Sequence, residues 1–291
     1  MSIDQITLAA ALWLLLIVPA CDQQQDDQLY YEEAGAGETI LFIHGAQEDY
    51  RVFLPQLAAL QDRYRVITYS RRYNHPRPQT YTPGTDYSPI TEARELATLI
   101  RSLDVDRLHL VGHSFGGLIA LAYTHAHPDM VESLILSEPP LLRLPGCASW
   151  HQQAQEGLID AVAQAFATQD TTLIMKALFE FFAGADIQEH VPPEVLKSLK
   201  ANLTEMQAIV HSEDPFPALS TDLAPPVMLV TSGNTMPMLT CVNEVLVQRW
   251  PEAKHVHIEN AGHEMWMTHP EVLAQFLGDF ISGIKDDVRI E

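Results

Sequence analysis

Cysteine is scarce in this chain of 291 residues. Cys21, Cys147 and Cys241 are the only three, with no CxxC pair and no zinc-like Cys/His spacing, which argues against a structural zinc site. Cys147 and Cys241 could pair in an oxidising compartment, but two buried free thiols are the plainer expectation. Positive charge is scarce as well. Seventeen Lys and Arg stand against 38 Asp and Glu, a formal charge of −21 spread along the chain. Such a surface repels polyanions and excludes nucleic acid as a partner. No repeat or low-complexity tract points to a solenoid or fibre. No apolar run reaches the roughly 18 residues of a membrane-spanning helix.

The longest apolar run is Ile6 to Ala20, the length of a signal-peptide core. Val18-Pro19-Ala20-Cys21 follows, then the polar stretch Asp22 to Asp27. Small residues before a cysteine, then a polar tether, resemble the lipobox of a bacterial lipoprotein. That resemblance implies cleavage before Cys21, lipidation of its thiol and anchoring at a membrane. No Lys or Arg precedes the run and Pro19 is unusual there, so an ordinary secretory signal and an uncleaved anchor remain alternatives. Export is the expected localisation, as a periplasmic or anchored lipoprotein or as a secreted protein, with residues 1–27 outside the fold.

From residue 28 onward, apolar β-prone runs alternate with amphipathic helical patterns. Thr39-Ile40-Leu41-Phe42-Ile43 is a continuous apolar run of the kind buried on both faces of a parallel sheet. Arg65 to Tyr69, Leu108 to Val111, Val131 to Leu136, Pro226 to Thr231 and Lys254 to Ile258 have similar character. Helices are expected over 52–62, from an N-cap at Thr91, after Gly112, near 238–249 and from Pro270. Four prolines make 73–90 a surface excursion. This rhythm predicts an α/β fold with a doubly wound, mostly parallel sheet, whose functional residues gather at the carboxyl ends of the strands. It breaks after Pro139-Pro140. Residues 141–223 hold helical segments near 151–168, 171–183 and 193–210 and no convincing strand, so they read as a cap between core segments 28–140 and 224–291. Ile174, Leu178, Phe181 and Phe182 sit at helical spacing with Met175 and Trp150 nearby. They are first the cap's own core, and some of them are candidates to line an apolar pocket.

The densest chemistry lies in Gly112-His113-Ser114-Phe115-Gly116-Gly117, entered from an apolar strand and left into a helical pattern. This is the strand–turn–helix setting of a nucleophile elbow, in which the glycines let strand and helix approach and the serine takes a strained backbone. Ser114 needs a base, and the base an orienting partner. Of thirteen histidines, His263 follows the last strand in a loop that opens at the same sheet edge. His113 is expected to pack beside the elbow, and His109, His255 and His257 fall within strands. An oxyanion needs fixed N–H donors. The amide of Phe115 is one, and the His44-Gly45-Ala46-Gln47 turn offers the other, Ala46 ahead of Gln47, with His44 ordering the turn. Arg71 and Arg72 end another strand. They are candidates for an anionic substrate group, though a surface or loop-ordering salt bridge is the plainer reading.

His44-Gly45, the elbow and Ala261-Gly262-His263, in that order, resemble the α/β-hydrolases of the capped, lipase/esterase-like serine type over residues 29–284. The resemblance implies an acyl-enzyme mechanism on a small-molecule carboxylic ester, with no metal or organic cofactor. A C–C bond hydrolase or lactonase on the same residues is the alternative, and a silent binding protein on this fold a further one. Relatives usually hold the acid three residues after a glycine past the seventh strand, but Met236 stands there in Thr231-Ser232-Gly233-Asn234-Thr235-Met236. Some members, certain haloalkane dehalogenases among them, place it after the sixth strand. That position is Glu138 here, 24 residues beyond Ser114, with Asp222 a distant second. The expected site is therefore Ser114, His263 and Glu138, with the Ala46 and Phe115 amides.

Overall fold

The computed structural model describes residues 28–288, with side chains through residue 284; the signal-like segment and Cys21 lie outside that range. Seven strands form one sheet in the order β1-β3-β2-β4-β5-β6-β7. They are β1 (Tyr31–Ala34), β2 (Thr39–Ile43), β3 (Arg65–Tyr69), β4 (Leu108–His113), β5 (Val131–Ser137), β6 (Val227–Asn234) and β7 (Lys254–Gly262). All neighbouring pairs are parallel except β1 with β3. The apolar strands bury both faces, and period-two alternation divides their side chains. Leu41, Ile43, Leu110, Leu134 and Leu136 face one core, while Ile40, Phe42, Val111 and Ile135 face the other.

Helices cover both faces. On the first lie α2 (Pro89–Ser102) and α3 (Phe115–Ala126). The helix expected from a Thr91 cap starts earlier, because the Ser88 hydroxyl accepts from the Thr91 N–H and Pro89 fits the first turn. The second face carries α1 (Leu54–Leu60), shorter than the 52–62 expected because Tyr50–Phe53 tightens into a 3₁₀ turn.

Between β5 and β6 no strand occurs among the described residues. The chain instead forms α4 (Ala148–Ala154), continued by a π-turn to Asp160, then α5 (Ala161–Ala167), α6 (Thr171–Ala183), α7 (Pro193–Ala201) and α8 (Leu203–Val210). Asp170 caps α6 through the N–H groups of Thr172 and Leu173, and Gly184 closes it in the left-handed conformation. Ile174, Met175 and Leu178 are buried in the core this insertion shares with the sheet, whereas Trp150, Phe181 and Phe182 line a groove of about 830 Å³ that reaches Met236. The chain ends with α9 (Pro237–Arg249), α10 (Met265–Thr268) and α11 (Pro270–Val288), the last packing Leu273, Leu277 and Ile281 into the second core.

One expectation fails here. Cys147 and Cys241 are not free thiols: they form a disulfide across a sequence separation of 94 residues, with 6.1 Å between their Cα atoms. The bond ties the start of α4 to α9, two places that sequence distance alone could not bring together.

Candidate active site

Strand register sets the geometry. Ile43 pairs with Gly112, His113 with Ser137, and Ser137 with Val230, so the chain leaves β2, β4, β5 and β6 along one edge. The sheet order reverses between β2 and β4, the switch point where α/β sheets open a crevice. The His44-Gly45-Ala46 turn leaves β2 on one side of it and Ser114 leaves β4 on the other.

Ser114 has φ 51° and ψ −124°, a backbone that side chains rarely adopt. Its N–H donates to Ser137 O at 2.8 Å and its carbonyl accepts from Gly117 at 2.8 Å, which holds the turn. A Cβ on Gly116 would fall 2.3 Å from Ile43 O, so only glycine lets α3 begin this close to β2. Glu138 and Gln47 also have positive φ, at 47° and 62°. Three left-handed non-glycine residues on one sheet edge mark a site whose surroundings overrule local preference, at roughly 1–3 kcal/mol each.

His263 and Glu138 are brought together as expected. His263 Nδ1 donates to Glu138 Oε2 at 2.7 Å. A carboxylate only accepts, so this bond places a ring proton on Nδ1 and turns Nε2 away from Glu138. The His263 ring lies 4.5 Å from that of His113, the residue before Ser114. Glu138 is fully buried, and its carboxylate also accepts from Thr235 Oγ1 (2.7 Å), Ser232 N–H (2.9 Å), Ser232 Oγ (2.9 Å) and Asn243 Nδ2 (3.3 Å). Burial alone would raise this carboxyl. The His263 bond, with those from Thr235 and Ser232, overrides it and holds Glu138 below the usual carboxylate range. Asp222, the distant second, is exposed and pairs with Arg249 at 3.0 Å.

Among the described residues, neither Ala46 N–H nor Phe115 N–H has a hydrogen-bond acceptor. The Gln47 N–H, the competing donor, is instead committed to Glu205 Oε2 at 2.6 Å. His44 does order the turn. Its Nδ1 donates to Gly45 O at 2.8 Å and its Nε2 accepts from Arg71 N–H at 3.2 Å, while burial lowers its pKa and keeps the ring neutral. His113 is buried beside the elbow and neutral for the same reason.

Arg71 makes the loop-ordering salt bridge, and makes it in the interior rather than at the surface: it is fully buried, donates from Nη2 to Gly45 O at 2.7 Å and forms an ion pair with Glu205. Burial opposes its charge, and the Glu205 carboxylate outweighs that and keeps the guanidinium protonated. Arg72 pairs with Glu92 and Glu95. Glu205 comes from α8 in the insertion and also accepts from Asn74 Nδ2 (3.0 Å) and Tyr87 OH (3.4 Å). Asn202, at the start of the same helix, donates to Asp49 Oδ2 at 2.9 Å, and Gln47 Nε2 donates to Leu199 O at 3.3 Å. The insertion is thus clamped onto the loops after β2 and β3.

Sequence reasoning missed Glu205, Thr235 and Glu48. Glu205 looks in sequence like any helix-surface glutamate, and its partners lie more than a hundred residues away. Thr235 was legible in part, because it stands one residue from the vacated acid position.

Comparisons with known proteins agree with this architecture. A putative carbamate hydrolase, RutD, of Yersinia enterocolitica is 24% identical over 269 residues, covering 90% of this chain and 94% of the relative. A thermophilic esterase from Thermogutta terrifontis superposes with a TM-score of 0.71 at 20% identity, covering 88% and 93% of the two chains. An enol-lactonase from Burkholderia xenovorans does so with a TM-score of 0.63 at 20% identity, covering 87% and 96%. The model of the alpha/beta hydrolase family matches residues 40–276. With its seven-stranded sheet, its elbow at Ser114 and this match over most of its length, the chain belongs to the alpha/beta hydrolase family.

Proposed function

We propose that the protein is a serine hydrolase of carboxylic esters that works through an acyl-enzyme. The observation that carries this reading is the 2.7 Å bond from His263 Nδ1 to a buried, ionised Glu138, beside an elbow that presents Ser114 in a strained turn. His263 Nε2 takes the Ser114 hydroxyl proton as Oγ attacks the ester carbonyl. Negative charge moves onto the carbonyl oxygen, and the Ala46 and Phe115 N–H groups stabilise it. Collapse expels the alcohol, which takes the proton back from Nε2. Water then repeats the sequence on the acyl-enzyme and releases the acid. Glu138 keeps the imidazole in the working tautomer and steadies the imidazolium that forms in each half.

Esters are the first choice because an alkoxide leaving group needs one proton, which His263 can supply. The names of the similar proteins include a carbamate hydrolase and a lactonase, and both chemistries open an acyl carbon in the same way. We further propose that the helical insertion caps the site and that the protein is exported. The apolar run before Cys21 and the Cys147–Cys241 disulfide support export.

A fluorophosphonate probe tests the reading. One adduct on Ser114, absent in Ser114→Ala, is expected. No adduct on folded protein, or labelling that survives Ser114→Ala, would sink it.

A further inference from the structure

One carboxyl group beside Ser114 has no part in the scheme above. Glu48 Oε2 accepts from Gly45 N–H at 2.7 Å, and Oε1 lies 3.7 Å from His113 Nε2. A Cβ built on Gly45 would be 2.9 Å from Glu48 Oε2 and 3.0 Å from Ser114 Cβ, so carboxyl and nucleophile flank the same point. The Glu48 side chain is 16% exposed. Ala46, Ser114 and His263 are partly exposed as well.

The charges facing Glu48 are committed elsewhere. His113, from β4, is neutral. His263, after β7, is tied to Glu138. Arg71, after β3, is paired with Glu205, and Glu205 brings a second negative charge from the insertion. Among the described residues no Lys or Arg forms an ion pair with Glu48. Burial, the largest influence, pushes its carboxyl up to about 7, against the Gly45 bond and the charges of His263 and Arg71. Above that pH a carboxylate with no ion-paired Lys or Arg among the described residues stands across Gly45 from Ser114.

We propose that Glu48 is a specificity-determining residue that makes the site prefer esters carrying a positive charge close to the scissile carbonyl, and disfavour those carrying a carboxylate there. The proposal rests on the serine-hydrolase reading. Coulomb attraction over about 6 Å at an effective dielectric between that of water and that of a protein surface is worth roughly threefold to a hundredfold in kcat/KM. The formal charge of −21 draws cations to the whole surface, so the discriminating readout is the effect of removing this one charge.

The test compares p-nitrophenyl esters of γ-trimethylammonio-butyrate, of its neutral tert-butyl isostere and of glutarate, on the full chain and on Glu48→Gln. Glutamine keeps an oxygen for the Gly45 N–H, and the ratios between substrates cancel any uniform change in rate. At about pH 8 the wild type should prefer the cationic ester to its isostere by roughly tenfold and disfavour glutarate, and both ratios should approach one in Glu48→Gln. In the wild type the preference should also shrink towards one near pH 6, since the quaternary ammonium stays charged and Glu48 does not. Equal ratios in the two proteins, or a wild-type ratio independent of pH, would overturn the proposal, and the pH series alone decides it should Glu48→Gln not fold. If none of the three esters is turned over while fluorophosphonate still labels Ser114, the preference is refuted and the serine chemistry stands. Absence of that label removes both.

Discussion

Replacing Glu205 by leucine should destabilise the protein far more than a helix-surface glutamate would suggest. The carboxylate is fully buried, paired with Arg71, and accepts from Gln47 N–H, Asn74 and Tyr87. Leucine fills similar volume but strands the guanidinium and three donors. Arg71 has little to turn to, because its Nε and Nη1 already lack a hydrogen-bond partner. Breaking a buried pair by removing one member costs about 3–5 kcal/mol, a large part of the roughly 5–15 kcal/mol that holds a domain together. At about 2–4 °C per kcal/mol for a chain of this size, the melting temperature should fall by roughly 6–20 °C. Thermal and urea unfolding of Glu205→Leu, Arg71→Met and the double variant measures this. The double variant removes the stranded charge with its partner and should be more stable than either single one. Turnover should fall as well, because Glu205 and Arg71 brace the turn that offers the Ala46 N–H. That loss should be smaller than the roughly 10²–10³ expected for deleting an oxyanion donor. A Glu205→Leu variant within about 1 kcal/mol of wild type, or a double variant whose losses simply add, would refute the clamp.

Two further perturbations probe other parts of the structure. Serine at both Cys147 and Cys241 opens a loop of 94 residues and should lower stability by up to about 4–5 kcal/mol in denaturant melts, while the wild type in reductant converges on the same midpoint. Glu48→Gln should gain stability relative to wild type as pH rises from about 4.5 to 7. A carboxyl raised in the folded state contributes fully below its unfolded pKa and loses that contribution as pH passes the folded value of about 7. Urea midpoints of the two proteins across that range should therefore diverge, by an amount approaching about 3 kcal/mol.

The parts of the molecule legible in sequence are those fixed by local pattern. Runs such as Thr39 to Ile43 cannot be solvated on either face, so they announce a buried parallel strand, and glycines around Ser114 announce a turn that a side chain would block. His263 could be found because a loop after a strand of this fold has one place to go. Glu138 follows from the family resemblance, which implies an acid after the sixth strand where the usual place is vacated, as it is here by Met236. What stayed hidden depends on contacts between distant segments. Nothing near Glu205 in sequence distinguishes it from the exposed glutamates of other helices, and only folding sets it against Arg71. Cys147 and Cys241 are likewise apart in sequence and joined in space. Glu48 lies within four residues of His44 yet carries no motif; its burial and its place beside Ser114 emerge only when β2 and β4 are adjacent.

The central claim is that the acid has moved to the end of β5 and orients His263 from there. The most direct measurement is kcat of Glu138→Gln on a small p-nitrophenyl ester, with folding checked by its melting curve. Glutamine preserves the shape but cannot hold the proton-bearing Nδ1 in the working tautomer or stabilise an imidazolium, so kcat should drop by about three to four orders of magnitude. A folded Glu138→Gln enzyme whose kcat stays within a few-fold of wild type would contradict the assignment.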